Sequence, residues 1–161
     1  YKIASPEIVD LPLIRKVCET GKPIIISTGA SSLQEISEAI SVVKRNQISD
    51  VMLLHCTAAY PAPLKEANLS TMKFLSDQFE VDIGLSDHTL GTSVATSAVT
   101  LGASLIEKHF TLSREEGGID SAFSLEPKEF SKMVRDSIDA YQAIGLPQKE
   151  PTESEISVKK K

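Results

Sequence analysis

Two histidines pose the first chemical question of this chain. His88 lies in the run Ser86-Asp87-His88-Thr89, which follows the apolar stretch Val81 to Leu85. His109 lies in Lys108-His109-Phe110, which follows Ser104 to Glu107. Both stretches read as short strands by their length and apolar content. Neighbouring strands run about 5 Å apart, so imidazoles at two adjacent strand ends can share one divalent metal. Two ligands are an incomplete set, and the remaining positions would fall to substrate and water, as in an open catalytic site. The spacing alone equally admits a hydrogen-bonded pair of histidines without a metal.

Other reactive side chains occupy the same kind of position. Lys2, Ser5, Ser27 and Ser86 come from three strands and offer one cation and three hydroxyls. That set suits a phosphate or a carboxylate, although any single serine fits an ordinary polar rim. Glu7 and Asp120 are candidate acid/base groups. Asp120 follows the loop Glu116-Gly117-Gly118-Ile119, which could close over a substrate or simply be solvated. Gly29, in Ser27-Thr28-Gly29-Ala30, could present a backbone N–H to a phosphate near a helix N-terminus. No GxGxxG or P-loop accompanies it. Tyr60, in Tyr60-Pro61-Ala62-Pro63, could line the same mouth or pack.

The elements that must position these groups alternate with a short period. Strands are expected over Tyr1–Ser5, Pro23–Ser27, Val51–Cys56, Val81–Leu85 and Ser104–Glu107. Helices are expected over Leu11–Thr20, from Ser32 with Glu35 as a capping box, over Leu69–Phe79 and over Thr92–Leu101. A last helix is expected from Glu126-Pro127 to about Ile144, and Gly21 and Gly102 read as helix stops. Five strand–helix units in a row imply a parallel sheet with right-handed crossovers. The polar residues all fall at strand C-terminal ends, which favours a barrel, where every such end meets at one mouth, over an open sheet. The expected fold class is α/β, a TIM-type (β/α)8 barrel of which this chain carries the C-terminal five strand–helix units.

The 161 residues permit one domain with a real core, and 41% apolar against 24% charged residues fits a globular chain. The net charge of -5 argues against a nucleic-acid partner. No apolar run approaches the roughly 20 residues of a membrane helix, and no signal peptide is visible. Cys18 and Cys56 fall on a helix and a strand and are expected as reduced thiols in a cytoplasmic protein. The chain begins inside a strand without Met, so it is expected to be part of a longer protein. Residues 1–147 would be barrel and 148–161 a polar linker, with Lys159-Lys160-Lys161 as a solvated end.

Taken together, the motifs resemble the sialic acid synthase family. The resemblance rests on Tyr1-Lys2-Ile3-Ala4-Ser5 with Glu7, Gly21-Lys22-Pro23 with Ser27-Thr28-Gly29, and Leu54-His55-Cys56-Thr57 with Tyr60-Pro61. Leu85-Ser86-Asp87-His88-Thr89 and Ile106-Glu107-Lys108-His109-Phe110-Thr111 complete it, and it extends to about Gly145. Gly117-Gly118 with Asp120 to Pro127 looks most like the pseudaminic acid synthase and spore coat polysaccharide synthase branch. Ala58 stands where N-acetylneuraminate synthases usually carry Asn, a departure that argues against N-acetylmannosamine as acceptor.

The resemblance implies a transferase that condenses phosphoenolpyruvate with an amino-sugar aldehyde, releasing phosphate and forming a nine-carbon 2-keto acid. It implies that His88 and His109 hold a divalent metal, Mn2+ before Mg2+ or Co2+. It implies that Lys2, Ser5, Ser27 and Ser86 hold phosphoenolpyruvate, that Tyr60 touches the sugar, and that Glu7 and Asp120 are active-site acids. It also implies a homodimer in which an absent C-terminal antifreeze-like domain, reached through the 148–161 linker, completes the partner's site. The isolated chain is then expected to be inactive. Two competing expectations remain: a non-catalytic sugar-phosphate binding barrel, and a barrel aldolase with Lys108 as a Schiff-base lysine.

Overall fold

The computed structural model describes residues 1–159; Lys160 and Lys161, the end of the expected lysine tail, lie outside the described residues. Five strands form one parallel sheet: β1 (Lys2–Ile3), β2 (Ile24–Ser27), β3 (Val51–Cys56), β4 (Asp82–Asp87) and β5 (Ile106–Lys108). They pair in chain order, β1-β2-β3-β4-β5. After each strand comes a helix: α1 (Leu11–Cys18), α2 (Leu33–Arg45), α3 (Ser70–Phe79), α4 (Ser93–Thr100) and α5 (Pro127–Ile144). The result is a parallel half-barrel, the five-unit part of the expected α/β architecture.

The register fixes what faces where. Lys2 pairs with Ile25, Ile25 with Met52, His55 with Leu85, Ser86 with Glu107 and Asp87 with Lys108. Side chains alternate along a strand with period two. Ile26, Leu53, Ile83 and Leu85 therefore share the outer face, where they bury against Ile14, Ile40, Val43, Met72 and Leu75 of the helices. Each such side chain contributes roughly 1.5–3 kcal/mol by its burial. Lys2, Ser27, Leu54, Cys56, Ser86 and Glu107 share the inner face. The alternation carries past the strand ends, so His88 and His109 also point inward.

The local signals explain most element boundaries. Ser32 Oγ accepts the Glu35 amide and Glu35 accepts the Ser32 amide, the reciprocal cap the sequence announces. Pro127 sits in the first turn of α5, where its missing N–H costs nothing. The first strand is shorter than expected. Ser5–Glu7 turn into a 3-10 segment, in which the Ala4 amide donates to Glu7 Oε2 at 2.8 Å. The tail carries one further element. Residues Glu153–Lys159 form the short exposed helix α6, because Thr152 and Glu155 form a second capping pair at 2.8 Å. Among the described residues no helix is long and apolar enough to cross a membrane.

Candidate active site

The two histidines meet. The His88 and His109 rings lie edge to face with centroids 5.3 Å apart. Tyr60 stacks on His88 at 4.2 Å, and Phe123 lies 5.0 Å from the His109 ring. The four rings make an aromatic wall with imidazole nitrogens on it. His88 Nδ1 lies 2.8 Å from the Thr57 carbonyl. A carbonyl only accepts, so Nδ1 carries the proton, and Nε2 is the nitrogen left to face the mouth, 3.5 Å from Ser86 Oγ. This is the arrangement that prepares an imidazole for a metal. His109 Nδ1 faces Asp120 Oδ2 at 3.6 Å.

The donor set fits a metal only as an open site. Among the described residues no third His, Cys, Asp or Glu completes a cluster with this pair. The two imidazoles could hold a divalent cation whose other positions stay available to ligands. Burial pushes the His88 pKa down, but the Cys56 thiol and the Thr57 carbonyl hydrogen-bond the ring, and the balance is raised. Burial likewise pushes the Cys56 thiol up, yet hydrogen bonds from His88 and Ser5 bring it below the ordinary range. Burial first, then the charges of Cys56, Asp120 and Glu107, raise the Tyr60 phenol.

Beside this wall lies a polar cluster. Ser86 Oγ donates to Glu107 Oε1 at 2.7 Å, and Lys2 Nζ lies 3.4 Å from Glu107 Oε2. Ser27 Oγ is buried, and no hydrogen-bond partner reaches it. An unpartnered buried hydroxyl on the same inner face as a lysine could accommodate an anion. Ser5 Oγ accepts the Gly29 amide at 2.9 Å and lies 3.4 Å from Cys56 Sγ. Gly29 is therefore not a free phosphate donor. A Cβ there would lie 2.6 Å from Cys56 Sγ, so its role is close packing of two loops.

Of the residues singled out in the sequence, the structure brings together Lys2, Ser86, Tyr60, His88, His109 and Asp120. Glu7 stands apart: its carboxylate is exposed and turned back onto the Ala4 amide. Lys108, the expected Schiff-base candidate, lies away from the mouth. It points to the outer face, pairs with Asp87 at 2.8 Å, and both side chains are 1% exposed. His55 is also outward. It donates Nε2–H to the Ala67 carbonyl at 2.8 Å, and burial lowers its pKa, so it is a neutral structural imidazole. A cleft of about 600 Å³, lined by His55, Cys56, Thr57, Thr28, Thr71 and Phe74, opens between α2 and α3 at the C-terminal ends of β2 and β3.

Sequence reasoning missed Glu107, Cys56, Thr57 and Phe123. Glu107 was legible from parity, two residues before His109 on the same face. The Thr57 contact uses a backbone carbonyl, which no residue type reveals.

Known proteins are similar to this chain in sequence and fold. The chain is 43% identical to N,N'-diacetyllegionaminic acid synthase of Campylobacter jejuni over 157 residues, which is 96% of this chain and 47% of that protein. It is 47% identical to pseudaminic acid synthase of Helicobacter pylori over 145 residues, 90% of this chain and 43% of that protein. A crystal structure of N-acetylneuraminic acid synthetase from Leptospira borgpetersenii in complex with citrate superposes with a TM-score of 0.90 at 38% identity. That superposition covers 99% of this chain and 55% of the other. The chain thus spans about half the length of the curated relatives it matches. The family match extends over residues 1–149, and with it the chain belongs to the NeuB family.

Proposed function

We propose that the protein carrying this chain condenses phosphoenolpyruvate with an amino-sugar aldehyde, giving a nine-carbon 2-keto sugar acid and phosphate. The observation that carries this reading is the His88–His109 pair facing one mouth with the Lys2–Glu107–Ser86 cluster. Relatives named pseudaminic acid synthase and N,N'-diacetyllegionaminic acid synthase support the acceptor class. A relative named as a spore coat polysaccharide biosynthesis protein of Bacillus subtilis supports a place in surface or spore coat polysaccharide formation.

In this reading His88 and His109 hold a divalent cation, Mn2+ before Mg2+ or Co2+. Such a cation supplies a Lewis acid for the acceptor aldehyde. Lys2, Ser27 and Ser86 bind the phosphate and carboxylate of phosphoenolpyruvate, with Ser5 setting the adjoining loop. The phosphoenolpyruvate methylene forms the new carbon–carbon bond to the aldehyde carbon, and the aldehyde oxygen takes a proton. Water adds at the resulting cationic carbon and releases one proton, balancing the one taken up by the aldehyde oxygen. The bond from that carbon to the phosphate oxygen then breaks as the remaining hydroxyl forms the ketone and its proton leaves with the phosphate. Tyr60 packs against the sugar. Asp120 orients His109, and Glu7 would have to leave its turn to serve the added water.

The test is phosphate release by the intact protein against a panel of amino-sugars, with and without a chelator. Release should require both an amino-sugar and a divalent cation and should be lost in His88→Ala and His109→Ala. Undiminished release in either variant, or release indifferent to the amino-sugar, would overturn the reading.

A further inference from the structure

We propose that the buried Asp87–Lys108 ion pair, tied to Thr89, is a positioning device that sets the separation of His88 and His109 from the far side of the barrel wall. The inference rests on the reading of these two imidazoles as a metal site.

The geometry is a clamp across two strands. Asp87 and Lys108 are register partners in β4 and β5, and each directly precedes one of the histidines. Their side chains face outward, so they touch nothing in the mouth. Lys108 Nζ reaches Asp87 Oδ2 at 2.8 Å and also donates to the Thr89 carbonyl. Asp87 Oδ1 accepts the Thr89 amide at 2.9 Å and the Thr89 hydroxyl at 2.7 Å. His88 is thereby held on both sides, at 87 and at 89, while its own carbonyl accepts the Ala62 amide at 2.9 Å. His109 is held by Lys108 on one side, and its carbonyl accepts the Leu125 amide at 2.9 Å.

A buried pair of this kind is an expensive way to gain stability, because desolvating both charges offsets most of their attraction. Well-packed apolar residues would hold the strands as firmly. What an ion pair with directed hydrogen bonds adds is one geometry, which apolar contact does not enforce. The outer face at this level needs no polar group for substrate, since the substrate side is the other face. A fixed spacing of two metal ligands is the property that such a pair can supply here.

The test is Co2+ binding by the intact protein, followed by affinity and by the visible spectrum of the bound ion. The double variant D87L/K108M removes both charges together, so that no buried charge is left alone. It should keep its cooperative unfolding and lose about 10–100-fold in Co2+ affinity, with a shifted spectrum. Lys108→Arg, which keeps the pair, should stay closer to wild type than the double variant. Wild-type affinity and spectrum in a folded D87L/K108M would overturn the proposal. If the double variant does not fold, Thr89→Val decides: removing one hydroxyl from Asp87 should weaken Co2+ and shift its spectrum, and an unchanged ion overturns the clamp. The metal reading fails separately, by a wild-type protein whose Co2+ binding is absent or unchanged in His88→Ala, and the clamp falls with it.

Discussion

Lys2 Nζ lies 3.4 Å from Glu107 Oε2, although the two residues belong to the outermost strands of the sheet. Only a sheet curved on itself brings the first and fifth strands this close through their side chains. The contact also sets the charge of the mouth, because the lysine that would receive an anion already faces a carboxylate.

An arriving anion must compete with Glu107 for Lys2. Glu107→Gln should tighten inorganic phosphate about two- to fivefold, the scale of a partly exposed ion pair. Lys2→Met should weaken it by more than that. Calorimetric titration of phosphate into the intact protein measures both, and weaker phosphate binding in Glu107→Gln would contradict the competition.

Lys108 should resist carbonyl trapping. Its side chain is 1% exposed and paired with Asp87 on the wall opposite the mouth. Treatment with a small keto acid and borohydride, followed by peptide mass mapping, should leave Lys108 unmodified. A reduced adduct at that residue would restore the aldolase alternative.

The loop that carries Asp120 is tied to α5 through Arg114. The Arg114 guanidinium bonds both Glu129 oxygens and the Ser124 carbonyl, and its backbone amide donates to Glu126 Oε1. The Arg114 hydrogen bond, then the Glu126 amide, lower the Glu129 carboxyl to about 2. A depressed acid stabilises the fold above its ordinary value of 4.5 and loses that contribution as pH falls from there towards 2. Both side chains are more than a third exposed, so solvent screening holds the effect to under about 1 kcal/mol. In Glu129→Gln the stability curve between pH 5 and 2 should flatten, as chemical unfolding at stepped pH would register. An unchanged curve would remove Glu129 from the loop's anchorage.

Gly84 lets β4 pack tightly against Leu54 and Leu105. A Cβ there would stand 2.5 Å from the Leu105 carbonyl oxygen and 2.6 Å from Leu54 Cδ2. The carbonyl is backbone and cannot swing aside, so Gly84→Ala should cost about 1–3 kcal/mol. Because β5 is displaced with it, cation binding at His109 should weaken as well. A variant of wild-type stability in urea would mean that the two strands can part freely.

Much of this was legible in the residues. The Ser32–Glu35 cap, Pro127 at the start of α5 and the buried run of β2 are local signals, and local signals read directly. Inward and outward faces were also present in the sequence, since His88 and Ser86 share parity while Asp87 does not. Taking every strand-end polar residue as a mouth residue sets that rule aside, and Lys108 as a site candidate is the result. Glu7 shows a different limit. Its carboxylate had two competing partners, a substrate and its own chain three residues back, and the nearer partner holds it. Contacts such as Lys2 to Glu107 depend on sheet curvature over 105 residues of separation, which no local pattern encodes.

The alternation along β4 and β5 has one more consequence. Residue count in these strand ends matters as much as residue identity. Deleting one residue between Leu85 and His88 would rotate an imidazole out of the mouth and place its neighbour there instead. The ends of these strands behave as a code read in pairs, and a single-residue slip turns the His88–His109 pair inside out while every side chain that built it is still present.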